Sequence, residues 1–453
     1  MTIPAQPIDR TKPPETPPLP AFRLPPVAET ALPNGLQVVL VEDRRFPLVT
    51  LRLGFQAGSK FDPKELPGLA EATAALLTEG TQTRSARQIA EEAASIGGTL
   101  SGYASADSLL LAGNALSENL PRLLDLTADV ALNAVFAGDE IKIYQNRRTQ
   151  ELLAERSEPD FWADEKLAAV VFGEHPYSRI HPTPDSIGKL NHDLLASFRD
   201  RLLAPNNAVL VLLGSLPGRE ETLKLIRDRF GKWERKDVPP LPSVPFPKPA
   251  RSLTLVDRPG SVQADIRVGQ LAVDRVSPDY FPLVVTNAIL GVGASSRMFT
   301  NIREKQGFAY DVHSTLQARR QAGLFAAVTQ VRNEVLEPAL ESVQAELDRL
   351  AQEPVGAQEL ADVKNYLSGS FVLGLETQGG LANQLSMVKL MGLPNDYLES
   401  YTTRIRSVEP PEIRTVAGKY MSRGTAGIVV VGDAAQIGKA LEKFGKPSVV
   451  KAE

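Results

Sequence analysis

Three strand-like segments occur in the same order in both halves of this 453-residue chain. The matching pairs are residues 36–42 with 252–257, 49–54 with 264–269, and 208–214 with 426–432. Val41 aligns with Val256 and Gly214 with Gly432, which gives offsets of 215 and 218 residues. Unrelated strands can look alike, but a nearly constant offset in three places favours a duplicated domain. The length also fits two or three domains better than one core.

Two proline-rich stretches divide the chain. Residues 1–27 contain several Pro-Pro pairs, and residues 238–250 alternate proline with apolar and basic residues. This composition favours an extended, semi-rigid connector over a helix or strand. We therefore predict an extended N-terminal segment, a first domain, a linker and a second domain, with boundaries at 1–27, 28–237, 238–250 and 251–453.

The local patterns of the first half predict strand pairs followed by longer helices. Ser85 and Gln88 form a capping-box pattern at the start of one helix, and Gly97-Gly98 marks its end. Residues 99–105 and 108–114 read as a hairpin, and a long helix follows. We predict an α+β fold of two homologous α/β-sandwich domains, with helices on one face of a mainly antiparallel sheet.

Composition excludes several classes of function. The chain has no cysteine, so thiolate metal sites, disulfides and cysteine nucleophiles are ruled out. It has four histidines, which leave few ways to build a histidine-rich metal site. Its net charge of −4 gives no electrostatic reason to expect binding to nucleic acid or to anionic membranes. No apolar run is long enough to cross a bilayer. We expect a cytoplasmic protein, or a periplasmic one if an N-terminal signal has been removed.

Residues 68–81 carry the frame of a known catalytic helix. They resemble the active-site helix of the pitrilysin/insulinase family of zinc peptidases, the inverzincins, where His-x-x-Glu-His lies between Gly-Leu-Ala and Gly-Thr. Here those three places hold Glu71, Ala74 and Ala75. The chemistry needs two imidazoles four residues apart and a carboxylate base before the second. An alanine methyl has neither a lone pair nor a titratable proton. We therefore expect no zinc in this chain.

The resemblance also implies a third metal ligand on a later helix. Its place corresponds to Glu151, which would be an orphan of the lost site or an ordinary charge on a solvated helix face. Residues 172–177, 359–365 and 392–397 are similar to other segments of the family. Among these, His175 reads as a structural residue of a Pro-Tyr turn, since no second ligand lies at a suitable spacing.

The second half retains a family element. Residues 290–310 resemble the family's Gly-rich loop, its Ser-Ser-Arg helix and its Arg-Glu-Lys-x-Gly-x-x-Tyr continuation. By resemblance, Arg303 holds a substrate carbonyl and Tyr310 donates to the oxyanion of a zinc site in the other subunit. Gly291, Gly293 and Ser295 would contact substrate. We expect Ser295 or Ser296 to cap the helix and Gly307 to end it. The alternative is that Arg303 pairs with Glu304 or Asp311 and Tyr310 merely packs.

The leading hypothesis is a non-catalytic subunit of a heterodimeric zinc peptidase, similar in arrangement to the mitochondrial processing peptidase. A homologous His-x-x-Glu-His subunit would hold the zinc, and peptides would be the substrates. The alternative is an inactive structural or peptide-binding protein of the same fold, as core proteins of the respiratory cytochrome complex exemplify. The strand at 101–105 is similar to the edge that binds peptides by strand addition in the family. A hydrolase using Glu71, Glu151 and Mg²⁺ would have an underfilled site.

Overall fold

The computed structural model describes Thr11 and residues 23–452, which contain two six-stranded sheets. The first sheet consists of β1 (Val27–Ala31), β2 (Gln37–Glu42), β3 (Leu48–Phe55), β4 (Thr99–Ala104), β5 (Leu109–Leu116) and β6 (Ala208–Gly214). The second consists of β7 (Ser252–Asp257), β8 (Gln263–Ala272), β9 (Ala309–Ala318), β10 (Gly323–Arg332), β11 (Gly427–Gly432) and β12 (Ser448–Lys451). The predicted N-terminal segment, residues 1–27, lies outside the described residues except for Thr11 and its last five positions.

The two sheets share the order of five of their six strands. Their strand orders are β1-β2-β6-β3-β5-β4 and β12-β7-β11-β8-β10-β9. Most neighbouring strands are antiparallel, while the equivalent pairs β2–β6 and β7–β11 are parallel. The edge strand β12 is also parallel to β7, whereas its counterpart at the edge of the first sheet, β1, is antiparallel to β2. Five strands of one sheet therefore have counterparts in the other, at the offsets that the repeated segments show. The predicted fold class, two homologous α+β domains, is confirmed.

Fifteen α-helices accompany the sheets in the described residues, together with six short 3₁₀ helices and a π-helical segment, Phe299–Lys305. Those of the first half are α1 (Leu69–Leu76), α2 (Ala86–Ser95), α3 (Leu120–Asn133), α4 (Gly138–Ser157), α5 (Pro159–Phe172), α6 (Pro184–Lys189), α7 (His192–Leu202) and α8 (Arg219–Phe230). Those of the second half are α9 (Tyr280–Gly291), α10 (Leu336–Gln352), α11 (Ala357–Leu375), α12 (Gln378–Met391), α13 (Tyr397–Ser407), α14 (Pro410–Tyr420) and α15 (Ala434–Leu441).

The central strand β6 shows why the predicted single helical layer is wrong. All seven of its residues are buried, so both faces of the sheet are covered. Leu210 and Leu212 pack in a core with helices of the first half, whereas Val209 and Val211 pack in a core that includes α12 of the second half. Each sheet therefore has helices on both faces, not on one.

The second sheet is covered in the reciprocal way. Helix α5 of the first half packs on β8 and β11, and Leu167 and Val171 join a core with Val256, Val429 and Leu324 of the second sheet. The two halves thus exchange one helix each, and neither sheet is buried by its own half alone. The domain boundaries stay a prediction.

Several local predictions are confirmed. Ser85 and Gln88 form a complete capping box at the start of α2, and Gly97 follows the helix with a left-handed φ of 68°. Strands β4 and β5 form the expected hairpin. Residues 238–250 contain no helix or strand, as their proline content indicates. None of the helices in the described residues has the length and apolar character needed to span a membrane.

Candidate functional site

Helix α1 carries the altered motif, and its N-terminus is held by a buried acid. The Asp62 carboxylate accepts hydrogen bonds from the backbone N–H groups of Gly68 and Ala70, both at 2.9 Å. These are N–H groups that the helix itself leaves unpaired. Burial raises the pKa of Asp62 to about 7, and the two N–H groups oppose that rise. The acid thus fixes where α1 begins, and so where residue 71 lies.

The next turn of α1 lies directly against the edge strand β4. Ala74 is fully buried, and a Cβ added to Gly102 would lie 2.0 Å from the Ala74 carbonyl oxygen. The backbones of α1 and β4 are therefore in direct contact here, and any residue larger than glycine at position 102 would clash. Ala75 is half-buried. Neither alanine offers a metal ligand or a base, so hydrolytic metal chemistry has no donors here.

Arg148 on α4 lies where the remaining acids of the site meet. Its Nε donates to Glu71 at 2.9 Å, and its two Nη atoms donate to Glu155 at 3.1–3.2 Å. The Glu151 carboxylate lies 4.0 Å from Nη1 of Arg148 and 3.6 Å from Nε of Arg147. The Arg148 side chain is only 7% exposed. A guanidinium is therefore the positive charge that these carboxylates share.

This ion-pair cluster disfavours a metal. Burial raises the pKa of Glu71, while Arg148 favours the ionised form and opposes the rise. A second cation beside Glu71 would face the charge of Arg148 at close range. Among the described residues, no group of three or more His, Cys, Asp or Glu side chains is placed to hold a metal ion. The Mg²⁺ hypothesis built on Glu71 and Glu151 gains no support from this geometry.

His175 has the surroundings of a structural residue. It is fully buried, its Nδ1 accepts a hydrogen bond from the Tyr177 N–H at 3.2 Å, and its ring stacks on Phe246 of the linker at 4.3 Å. Burial lowers the pKa of His175 to about 4, so the ring is neutral near pH 7. Its contacts tie the linker to the first half.

Arg303 and Tyr310 lie together at the surface of the second half. Tyr310 is 85% exposed at the start of β9, which is the edge strand of its sheet. The Arg303 guanidinium lies 5.0 Å from the Tyr310 ring centroid and 4.5 Å from that of Phe299. It is also 3.6 Å from Glu304, whereas Asp311 pairs with His313. The structure thus brings the predicted pair together, with the tyrosine almost fully in solvent.

The Gly-rich loop departs from the prediction in its caps. Gly291 ends α9 in close contact with Ser314, and Gly293 has a φ of 83°. The expected capping bond from Ser295 or Ser296 is absent: within the described chain the Ser296 Oγ is buried without a partner, and Ser295 is exposed. Gly307, with a φ of 65°, follows the π-helical segment as predicted.

Two arginines were missed by sequence reasoning. Arg297, within the quoted Ser-Ser-Arg element, makes a bidentate pair with Glu359 of α11 at 2.7 and 2.8 Å, and so fixes the helix that carries Arg303. Arg148 stands next to Arg147 in the segment that identified Glu151. Arg148 and Glu155 are seven residues apart, which is two helical turns, so the sequence places them on the same face of a helix. That spacing is the signal that could have identified the pair.

The two parts of the site lie far apart in this chain. Arg319, just after β9, lines a pocket together with Glu71. Tyr310 lies nine residues earlier, and at about 3.3 Å per strand residue this is roughly 30 Å away. Tyr310 thus lies at the end of β9 remote from Arg319, the residue that lines the pocket beside Glu71.

Comparisons with known protein families identify the fold and the altered motif as those of a peptidase family. A model described as insulinase (peptidase family M16) matches residues 37–185, and one described as the peptidase M16 inactive domain matches residues 189–367. The chain belongs to peptidase family M16. The M16 fold is also that of a crystal structure described as the peptidase M16 inactive domain from Pseudomonas fluorescens, with a TM-score of 0.84 and 26% identity over 90% of this chain and 98% of that one.

Several relatives of this chain are named as zinc proteases. The chain is 26% identical to an uncharacterized zinc protease of Streptomyces coelicolor, over 88% of each protein. It is 25% identical to the uncharacterized zinc protease YmxG of Bacillus subtilis, over 87% of this chain and 95% of that protein. A protease from Helicobacter pylori shares the fold, with a TM-score of 0.83 at 19% identity. With alanines at two positions of its motif, this chain is a non-catalytic, peptidase-like member of the family.

Proposed function

We propose that this chain is the non-catalytic subunit of a heterodimeric zinc metallopeptidase. Its partner would be a homologous M16 subunit with His-x-x-Glu-His and zinc, and this chain would supply Arg303, Tyr310 and the loop of Gly291, Gly293 and Ser295. The observation that carries the proposal is the exposure of Tyr310, 85%, beside a guanidinium. The exposed phenol and the neighbouring guanidinium leave hydrogen-bond donors that a group on another molecule can reach.

The chemistry of the pair fits peptide hydrolysis. The Tyr310 hydroxyl can donate to the oxyanion that develops on a scissile carbonyl, and the Arg303 guanidinium can hold a neighbouring substrate carbonyl. Tyr310 is nine strand residues, roughly 30 Å along β9, from Arg319, which lines the pocket beside Glu71, and this separation supports action in trans. Arg297 and Glu359 keep the supporting helix in place, so the donors are pre-positioned.

The test reconstitutes this chain with a His-x-x-Glu-His homologue from the same source and follows cleavage of a fluorogenic peptide. We expect little activity from either chain alone. Arg303→Ala and Tyr310→Phe should each lower kcat of the pair by about a hundredfold or more, as removal of one oxyanion donor typically does. Tyr366→Phe and Arg414→Ala change exposed residues elsewhere and serve as matched controls.

The outcomes separate two functions. Full activity in both the Arg303 and the Tyr310 variants would refute the proposed catalytic role. The second candidate is a peptide-binding scaffold without a zinc partner. It is favoured by the free outer edge of β4, which pairs with β5 on its inner side only within the described residues. Peptide binding by the isolated chain, without cleavage in any mixture, would support that candidate.

A further inference from the structure

A pocket beside α1 contains cationic groups that the proposed function does not use. Its volume is about 200 Å³, and it is lined by Glu71, by residues 104–106 at the end of β4, by His181 and by two arginines, Arg179 and Arg319. This is enough space for one carboxylate-bearing side chain. The end of the edge strand β4 thus forms part of the pocket wall.

The two arginines have no acidic partner in the part of the chain that the structure describes, at the 4.0 Å limit for an ion pair. Arg319 donates to the Tyr177 carbonyl at 3.3 Å and to Gln317 at 2.8 Å, and its guanidinium stacks on the Tyr177 and Phe172 rings at 4.8 and 5.1 Å. These contacts hold the cation in place without neutralising it.

The Arg179 guanidinium has even fewer hydrogen-bond acceptors than that of Arg319. Its Nη2 makes one long hydrogen bond, 3.4 Å, to the Asp62 carbonyl, and its Nε is buried with no acceptor among the described residues. Arginines this enclosed ordinarily pair with a carboxylate or fill their donor positions with carbonyl oxygens. The Arg179 guanidinium therefore has spare donors within the pocket wall.

Two acids near the pocket, Glu71 and Asp107, already have hydrogen-bonding partners other than the pocket arginines. Glu71, the lining carboxylate, is paired with Arg148 at 2.9 Å. Asp107 accepts hydrogen bonds from Lys60 at 3.0 Å, from the Tyr177 hydroxyl at 2.5 Å and from the Arg320 N–H at 2.9 Å. Asp107 and Asp62 attract Arg319 and Arg179, respectively, without forming ion pairs with them. The lining itself contains two arginines and one glutamate, so its formal charge is positive.

We infer that this pocket is a carboxylate-binding site, in which Arg179 and Arg319 hold an acidic group of a peptide that lies along the β4 edge. Guanidinium groups bind carboxylates through paired, charge-assisted hydrogen bonds. The acid is either a side chain or a terminal carboxylate, since both have the same head group. The site belongs to this chain alone and stands whether or not the chain acts with a zinc partner.

The test measures binding of three labelled peptides to the isolated full chain by fluorescence anisotropy. The probes are acetyl-Val-Thr-Glu-Thr-Val-amide, the same peptide with Gln in place of Glu, and the Gln peptide with a free C-terminal carboxylate. We expect one acid-bearing peptide to bind at least about tenfold more tightly than the neutral one. Preference for the Glu peptide identifies a side chain, and preference for the free acid identifies a terminus.

Arg179→Gln and Arg319→Gln should each abolish that preference, while Arg414→Gln, at an exposed position on α14, should retain it. Circular dichroism checks folding. If either pocket variant fails to fold, competition on the unmodified chain decides: sodium acetate should displace the acidic peptide more strongly than sodium chloride of equal ionic strength. Equal binding of all three peptides, a preference that survives both variants, or no extra effect of acetate would overturn the inference.

Discussion

Replacement of Arg148 by methionine tests whether a guanidinium has taken the place of the metal as the central charge at α1. Methionine keeps an unbranched apolar stem but removes the cation. Three carboxylates would then face one another, because Glu71, Glu151 and Glu155 all lie within 4.0 Å of the Arg148 guanidinium. The folded state would lose its ion pairs and gain like-charge repulsion.

The expected loss follows from burial. Removing one partner of a fully buried ion pair costs about 3–5 kcal/mol, whereas exposed pairs contribute about 0–1 kcal/mol. Arg148 is 7% exposed, but the side chains of Glu71, Glu155 and Glu151 are 47%, 41% and 51% exposed, so water stabilises them once the arginine is gone. We expect a decrease of about 1–3 kcal/mol in the free energy of unfolding at pH 7.5.

The loss should depend on pH with a definite sign. Burial raises the pKa of Glu71, and Arg148 opposes this, so the variant should have a still higher pKa at Glu71. An acid whose pKa is raised by folding binds its proton more tightly in the folded state, so its contribution to stability falls as pH rises through that range. The difference between variant and unmodified chain should therefore be larger at pH 7.5 than at pH 4.5.

Urea denaturation followed by circular dichroism at both pH values measures these quantities. Adding Glu71→Gln to Arg148→Met should restore part of the lost stability, and a double-mutant cycle gives the coupling energy. Arg147→Met is the matched control: its side chain is 59% exposed and it pairs with Glu151 at 3.6 Å, so we expect a change of about 0.5 kcal/mol or less. Equal effects at positions 147 and 148, or a loss independent of pH, would refute the reasoning.

Three further predictions use the same region. Restoring the zinc motif requires the substitutions Glu71→His, Ala74→Glu and Ala75→His. The restored chain should bind zinc at least about tenfold more weakly with Arg148 present than with Arg148→Ala, measured by calorimetry, because a fixed cation beside the site opposes a second. Gly102→Ala should cost about 1–3 kcal/mol in urea unfolding, since its Cβ meets a carbonyl oxygen at 2.0 Å, whereas Gly438→Ala, with no atom within 4 Å, should be neutral or slightly stabilising. Because the pKa of His175 is about 4 in the folded chain and near 6.5 when unfolded, thermal stability should fall as pH drops from 6.5 to 4.5, and less so in His175→Asn.

The sequence predicts the fold well because its signals are local or repeated. Strand patterns at nearly constant offsets locate three strands of each six-stranded sheet, and the Ser85 capping box and Gly97 locate a helix to within a residue. The helix exchange between the halves could not be read in this way. Leu167 and Val171 on α5 show an apolar face, but nothing in their pattern states which sheet the face covers. That choice depends on contacts more than eighty residues away in the chain.

For the candidate site, residue identity was more informative than spacing. Ala74 and Ala75 have no atom that can bind zinc or accept a proton, so their identity alone excludes the zinc chemistry of the motif. Tyr310 lies at the surface beside Arg303, as the motif indicates. Arg148 and the pocket arginine Arg319 were not predicted as site residues. Their roles arise only where α4 and the end of β9 meet the region around α1, and an arginine without a motif reads as an ordinary solvated charge.

The exchanged helices explain why a half that has lost its zinc motif is still needed. On α5, Leu167, Ala168 and Phe172 are at most 1% exposed and cover the face of the second sheet opposite its own helices. Each large apolar side chain buried there contributes about 1.5–3 kcal/mol, a large share of the 5–15 kcal/mol that separates folded from unfolded domains. Loss of the ligands at α1 removes none of this burial, so the catalytic motif can decay while the domain remains. The strand that carries Tyr310 then keeps its position because the first half supplies part of the core beneath its sheet.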